Sequence, residues 1–318
     1  AVKSTLTACD NAILRSVCKP DTMDMAPAPL TNATEPDRRR VERRATRGLH
    51  RAVDRVHILG EPMDLIRAEE VMQRVQHWVE GGEKRIIANH NLHSLYLIRS
   101  DAVMRRFYDR ADLIELDSTP LIHFARLLGL STRPMHRCTY LDWRDHFWSL
   151  AARHGWRVSY VGGAPEVASV AAERLTARYP SVSIQPIDGY FDATPGSGAN
   201  IAVLDSLADF APHVLLVGMG MPRQEAWIVA NLEDLPNCVI LPVGAAFDYE
   251  AGVQKASPRW MGRMGLEWLF RLVSNPRRLF VRYCIEPWFL IGPALSDIVN
   301  AVRRRVHTPA DDEATRAG

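Results

Sequence analysis

The 318-residue chain is long enough to bury a substantial core in one large α/β domain or two modest ones. Its 39 Lys and Arg nearly balance 37 Asp and Glu, for a formal net charge of +2. That balance argues against a general nucleic-acid binder, because a phosphate backbone rewards a clustered excess of positive charge. The five cysteines, Cys9, Cys18, Cys138, Cys238 and Cys284, show neither CxxC nor Cys/His ligand spacing, so they read as reduced cytoplasmic thiols, not as a disulfide framework or zinc site.

No stretch reaches the roughly 18–20 apolar residues of a membrane-spanning helix. The nearest, 288–295, is broken by Gly292 and Pro293, and the N-terminus lacks the order of a secretory signal. Residues 1–54 carry Pro20, Pro27, Pro29 and Pro36 and the run Arg38-Arg39-Arg40-Val41-Glu42-Arg43-Arg44. They read as a disordered basic arm, either a solubilising leader or an electrostatic tether to anionic lipid.

From residue 55 a regular alternation begins. Strand 56–59 ends at Gly60, and helix 68–79 is marked by Val71, Val75 and Val79 four apart. Strand 85–88, helix 92–108, strand 113–116 and a helix over 120–130 follow. The rhythm resumes with strand 157–161, helix 167–179, strand 182–184, helix 199–209, strand 214–217, helix 224–232 and strand 239–243. Apolar strands separated by helices predict an α/β fold, a largely parallel Rossmann-like sheet with helices on both faces. Past Gly252 the alternation stops, and 266–279 and 281–291 read as amphipathic helices rich in Trp, Phe and Arg. The expected organisation is a catalytic domain over 55–255, a helical C-terminal appendage over 256–298 and a disordered tail over 299–318.

Ligands of such sheets sit outside the carboxyl ends of the strands, and the polar residues of interest lie there. Asp117 follows strand 113–116 and could take a proton from a bound hydroxyl or cap the next helix. Asn89 and Asn91 end the preceding strand, as sugar-binding amides or turn formers. His93, one helical turn on, reads as a helix-face residue. The turns Gly162-Gly163 and Gly218-Met219-Gly220 could set backbone N–H groups against phosphate, though neither completes a dinucleotide fingerprint, and a nicotinamide oxidoreductase is poorly supported. Pro222-Arg223-Gln224-Glu225 brings a cation, an amide and a carboxylate to one crevice, unless Arg223 is merely solvated and Glu225 merely suits the helix dipole. The C-terminal arginines are either a solvated cap or one face of an interfacial helix whose Trp268, Phe270, Trp288 and Phe289 enter a membrane boundary; their excess favours the membrane.

These residues fall in eight ordered blocks. They are Asn91; Ala111-Asp112-Leu113 with Asp117; Gly162-Gly163-Ala164-Pro165; Asp188-Gly189-Tyr190-Phe191; 217–225, containing Gly218, Gly220, Pro222, Gln224 and Glu225; Gly244-Ala245-Ala246-Phe247-Asp248; 265–272; and Asn275-Pro276-Arg277-Arg278. In that order they resemble the WecG/TagA/CpsF glycosyltransferases (glycosyltransferase family 26), over roughly 56–288. The resemblance implies an inverting transferase, independent of metal and cofactor, that moves a hexose or N-acetylhexosamine from a UDP-sugar to a polyprenyl-diphosphate-linked sugar in surface polysaccharide biosynthesis. It implies Asp117 as the proton acceptor, and an appendage that docks on the cytoplasmic face of the bacterial plasma membrane and brings arginines to the active site. Because the chain has no Asp-x-Asp motif, Arg271, Arg278 or Arg282 is the natural counter-charge for the diphosphate, with Arg137, before Asp142, a further candidate. The resemblance also implies a homo-oligomer as a possible assembly. The chain departs from the family pattern at Asn89, Ser118, Tyr140, 255–258 and Val281. Since Asn89, Ser118 and Tyr140 are expected near the sugars, the donor and acceptor sugars stay open, as does an inactive scaffold of the same fold.

Overall fold

The computed structural model describes residues 54–254, 261 and 266–306. The expected basic arm, apart from Asp54, and the departure at 255–258 lie outside the described residues.

Six strands form one parallel sheet: β3 (Arg85–His90), β4 (Leu113–Leu116), β5 (Arg157–Gly162), β6 (Ser183–Ile187), β7 (Val214–Gly218) and β8 (Val239–Pro242), in the spatial order β4-β3-β8-β7-β5-β6. Strands β4 and β8 are buried along their whole length, and β7 up to its final glycine, as continuous apolar runs require when helices cover both faces. Side chains alternate between two cores. Val158, Tyr160, Val214 and Leu216 pack with α1 (Ala68–Glu80), α5 (Tyr140–His154), α6 (Pro165–Arg178) and α9 (Ala246–Glu250). Val161, Leu215 and Val217 point the other way, into α3 (Ala102–Asp109), α7 (Gly198–Phe210) and α8 (Arg223–Ala230).

Three local features differ from the sequence pattern. The strand expected at 56–59 does not join the main sheet; β1 (Asp54–Ile58) pairs antiparallel with β2 (Glu61–Leu65) in a separate hairpin turned at Leu59-Gly60, both at positive φ. The helix expected over 92–108 is two, α2 (Leu92–Leu97) and α3, because the Asp101 carboxylate accepts from Val103 N–H and Met104 N–H and starts α3 afresh. Helix α5 is an addition to the expected elements, although its buried Tyr140, Trp143, Phe147 and Ala151 have helical spacing. The remaining helix beside the strands is α4 (Thr119–Leu127).

The C-terminal segment returns to the sheet. Helices α10 (Glu267–Ser274) and α11 (Pro276–Phe280) lead through a π turn (Val281–Ile285) and a 3-10 turn (Glu286–Leu290) into α12 (Ile291–Val306). The tail expected to be disordered from residue 299 is therefore helical through Val306. Its inner face explains this order: Leu290 and Ala294 join a third core with the hairpin and α4, and Asp297 accepts from Leu59 N–H at 2.6 Å. No helix among the described residues is long and apolar enough to cross a membrane.

Asp64, 1% exposed, ties the hairpin to the sheet edge. Its carboxylate accepts two bonds from the Arg55 guanidinium and one from Ile114 N–H, each at 2.8 Å. Asp64→Ala leaves a strand N–H buried without an acceptor and should cost about 2–3 kcal/mol. A lower urea midpoint with unchanged slope is the expected result; an unaltered midpoint would show that the hairpin docks without this carboxylate.

Candidate active site

A cavity of about 200 Å³ opens between the carboxyl ends of β3 and β4 and the C-terminal segment. Asn91 and His93 reach it from the start of α2, and Asp117, Ser118 and Thr119 from the β4–α4 turn. Arg137 comes from the segment bridged to Leu116, and Glu267, Arg271, Arg282 and Tyr283 from the C-terminal elements. The turn is set by backbone: Asp117 N–H donates to His90 C=O at 2.8 Å, and Pro120 in the first turn of α4 starts that helix immediately.

Asp117 is the chemically distinctive group. Its carboxylate makes no hydrogen bond among the described residues, and burial pushes its pKa from 3.8 up to about 7 despite the opposing pull of Arg271 and Arg137. Two residues back on β4, Glu115 is 3% exposed with Oε1 unpartnered; burial, and then the charge of Asp117, raises its pKa well above the carboxylate range. Glu115 is thus carried neutral beneath an Asp117 poised between its two states.

The cations are held unequally. Arg137 pairs with Glu267 at 2.9 Å and Asp142 at 3.6 Å, and Arg271 pairs with Glu267 at 2.6 Å. Arg282 has no carboxylate partner among the described residues; its guanidinium lies 5.8 Å from the Tyr283 ring centroid. Burial, reinforced by Arg271, lowers its pKa from the usual value, so the cavity holds a cation short of counter-charge.

Of the residues singled out in sequence, the fold gathers Asn91, Asp117, Ser118, Arg137, Arg271 and Arg282 around this cavity. The Arg278 side chain lies outside the described residues. Asn91 is also the cap of α2, its Oδ1 accepting from His93 N–H and Ser94 N–H, so both readings of it describe the same residue. Asn89 donates to Pro242 C=O at 3.0 Å and ties β3 to β8. Asp142 accepts from Thr139 N–H and Oγ1 as a capping box at the start of α5.

Gly162, Gly163, Gly218, Gly220, Pro222, Gln224, Glu225 and Asp248 lie outside the cavity lining, along the carboxyl ends of β5, β7 and β8. The Gly162–Gly218 pair has a packing cause. At φ +158°, a Cβ on Gly162 would sit 2.4 Å from the Gly218 carbonyl, and one on Gly218 would sit 2.2 Å from the Tyr160 hydroxyl. Gly163 N–H donates to Gly218 C=O across the same gap, and Tyr160 stacks on Phe247 with centroids 3.7 Å apart. Further along, Gln224 Oε1 accepts from Gly220 N–H and its amide donates to Glu225. The other Glu225 oxygen is buried and unpartnered, and burial lifts that carboxyl to about 7. Asp248 sits on α9, after β8.

The chain has relatives among known proteins. The model of the glycosyl transferase WecG/TagA/CpsF family matches residues 56–304. The chain belongs to that family. It is a glycosyltransferase, and relatives in two Staphylococcus aureus strains, MW2 and NCTC 8325 / PS 47, are each named N-acetylglucosaminyldiphosphoundecaprenol N-acetyl-beta-D-mannosaminyltransferase. Each is 24% identical over 236 residues, covering 71% of this chain and 87% of the relative.

Sequence reasoning missed His93 as a site residue. A histidine one turn into an amphipathic pattern reads as surface, and only the returning C-terminal segment turns that position into a cavity wall. Glu267 and Tyr283 were equally silent as cavity residues, since the strand-end residues that share the cavity with them, Asn91 and Asp117 among them, are distant in the chain.

Because Asp117 binds its proton more tightly folded than unfolded, its contribution to stability is present below about pH 4 and lost as pH rises through about 7. Asp117→Asn should therefore raise the melting temperature of this glycosyltransferase by roughly 2–6 °C at pH 8 and leave it unchanged at pH 4. Equal melting of both proteins at both pH values would show that the carboxyl is not raised.

Proposed function

We propose that this glycosyltransferase moves a hexose or N-acetylhexosamine from a UDP-sugar to a polyprenyl-diphosphate-linked sugar, with inversion, at an anionic membrane surface. One observation carries the reading: a carboxyl with a pKa of about 7 shares a cavity with Arg137, Arg271 and Arg282. The names of the Staphylococcus aureus relatives supply the acceptor class.

The acceptor hydroxyl attacks the anomeric carbon as the bond from that carbon to the UDP oxygen breaks. Asp117 takes the hydroxyl proton, and a base with a pKa near the working pH combines the correct protonation state with useful driving force. Arg271 and Arg282 meet the charge that grows on the departing diphosphate, in a site shielded enough for them to act strongly. The strand ends that carry Gly162, Gly163, Gly218, Gly220, Pro222, Gln224, Glu225 and Asp248 are the proposed path of the nucleotide, while Asn89, Asn91, Ser118 and Asp142 are proposed to border the sugars.

Membrane attachment follows from the outer face of the C-terminal segment. Trp288 is 70% exposed, and Phe280, Val281, Phe289, Leu295, Val299 and Val302 are exposed beside it, while the inner face already packs on the hairpin. Apolar surface on the outer side of a packed helix, with Arg277 nearby, suits the headgroup boundary of an anionic bilayer.

The test is transfer from a panel of UDP-sugars to N-acetylglucosamine or glucose linked to polyprenyl diphosphate, with EDTA present. Wild type should use one donor, Asp117→Asn should lose about 10²–10⁴ of the rate, and UDP affinity should hold. Loss of UDP binding would reassign Asp117 to the donor site; transfer only without EDTA would overturn arginine compensation. Trp288→Ser with Phe289→Ser should release the protein from anionic liposomes in flotation, and undiminished flotation would move the contact elsewhere.

A further inference from the structure

One residue of the cavity lining, His93, and the carboxylate behind it are not used by the mechanism above. His93 Nδ1 lies 2.5 Å from Glu286 Oε2, with side chains 15% and 9% exposed. His93 comes from α2 in the core and Glu286 from the C-terminal segment, one helical turn after Arg282. The Tyr96 and Phe289 rings, with centroids 5.4 Å apart, hold the same two elements together.

We propose that the His93–Glu286 pair is a recognition site for a sugar hydroxyl: Glu286 fixes the imidazole proton on Nδ1, and the Nε2 lone pair accepts a hydrogen bond from a hydroxyl of the donor or acceptor sugar. A carboxylate against Nδ1 requires a donor there, which leaves Nε2 as the acceptor in the neutral ring. Nε2 forms no bond among the described residues, and His93 lines the cavity that Asp117 lines.

Three points favour a hydroxyl over the alternatives. A neutral Nε2 lone pair repels phosphate oxygens, which the neighbouring arginines attract. Burial, and then Arg282, lower the His93 pKa against the opposing pull of Glu286, whereas burial raises that of Asp117. His93 therefore accepts a hydrogen bond while Asp117 takes the proton. Finally, a buried acceptor left unpaired by the wrong ligand discriminates strongly, more so than apolar contact does.

The inference rests on the transferase reading and is tested separately from it. With the donor found in the UDP-sugar panel, kcat/KM is measured for the parent substrates and for monodeoxy analogues of each sugar, one arm varying the donor and the other the acceptor. In wild type, one deoxy position should cost about 10- to 100-fold in kcat/KM, mostly through KM. In His93→Ala that penalty should vanish, the parent falling to the level of its deoxy analogue, with other positions unaffected. His93→Gln, whose carbonyl can accept the same bond, should restore part of the penalty, and the arm in which this occurs identifies the sugar. Equal penalties in wild type and His93→Ala would overturn the proposal, as would a uniform loss across all analogues with no recovery in His93→Gln. Titration calorimetry of the same panels gives the readout without turnover. Absence of transfer by wild type sinks the transferase reading instead.

Discussion

Contact between the C-terminal segment and the carboxyl ends of β3 and β4 decides the character of this site. His93 bonded to Glu286, Asp297 bonded to Leu59 N–H, and Leu290 buried among the hairpin and α4 bring Arg271 and Arg282 over Asp117. That closure removes water from the aspartate. Desolvation raises its pKa to about 7, and Arg271 on the closing segment, with Arg137 beside it, holds it from rising further. In the proposed mechanism, the shielding that would suit Asp117 to act as a base near neutral pH would also sharpen the interaction of the arginines with a departing diphosphate.

The cost of this arrangement is visible around it. Arg282 is kept as a cation without a carboxylate partner among the described residues, and Glu115 lies buried with one oxygen unpartnered. Unpaired charge and buried polar atoms destabilise a fold, and sites that must bind an anion or move a proton retain them. The rigid sheet beneath supplies the stability. Its two apolar cores lock β5, β7 and β8, and the close approach of Gly162 to Gly218 holds the strand ends together.

The outer side of the closing segment has a different chemistry. One surface of the same few turns packs against the hairpin while the other presents Trp288, Phe289, Leu295 and Val299 to solvent. Docking of that side on a bilayer would couple attachment to the completion of the cavity, since Arg282 and Glu286 precede the exposed aromatics directly.

Much of this was legible in the sequence, because periodicity and strand-end chemistry are local properties. Apolar runs of four or five residues between helical patterns specify a parallel sheet with both faces covered. Asp117, Asn91 and the glycine turns fall at strand ends, where such sheets bind ligands. The eight ordered blocks added the family. The hairpin at 54–65 was obscured because a lone strand followed by Gly looks the same whichever sheet it joins. What only the tertiary structure decided is which of the strand-end residues share a cavity, and what Asp117, His93 and Arg282 become there. A pKa near 7, a histidine with one nitrogen fixed and a cation short of counter-charge are consequences of burial and of contacts such as that between His93 and Glu286, 193 positions apart in the chain, and no local pattern encodes such distances.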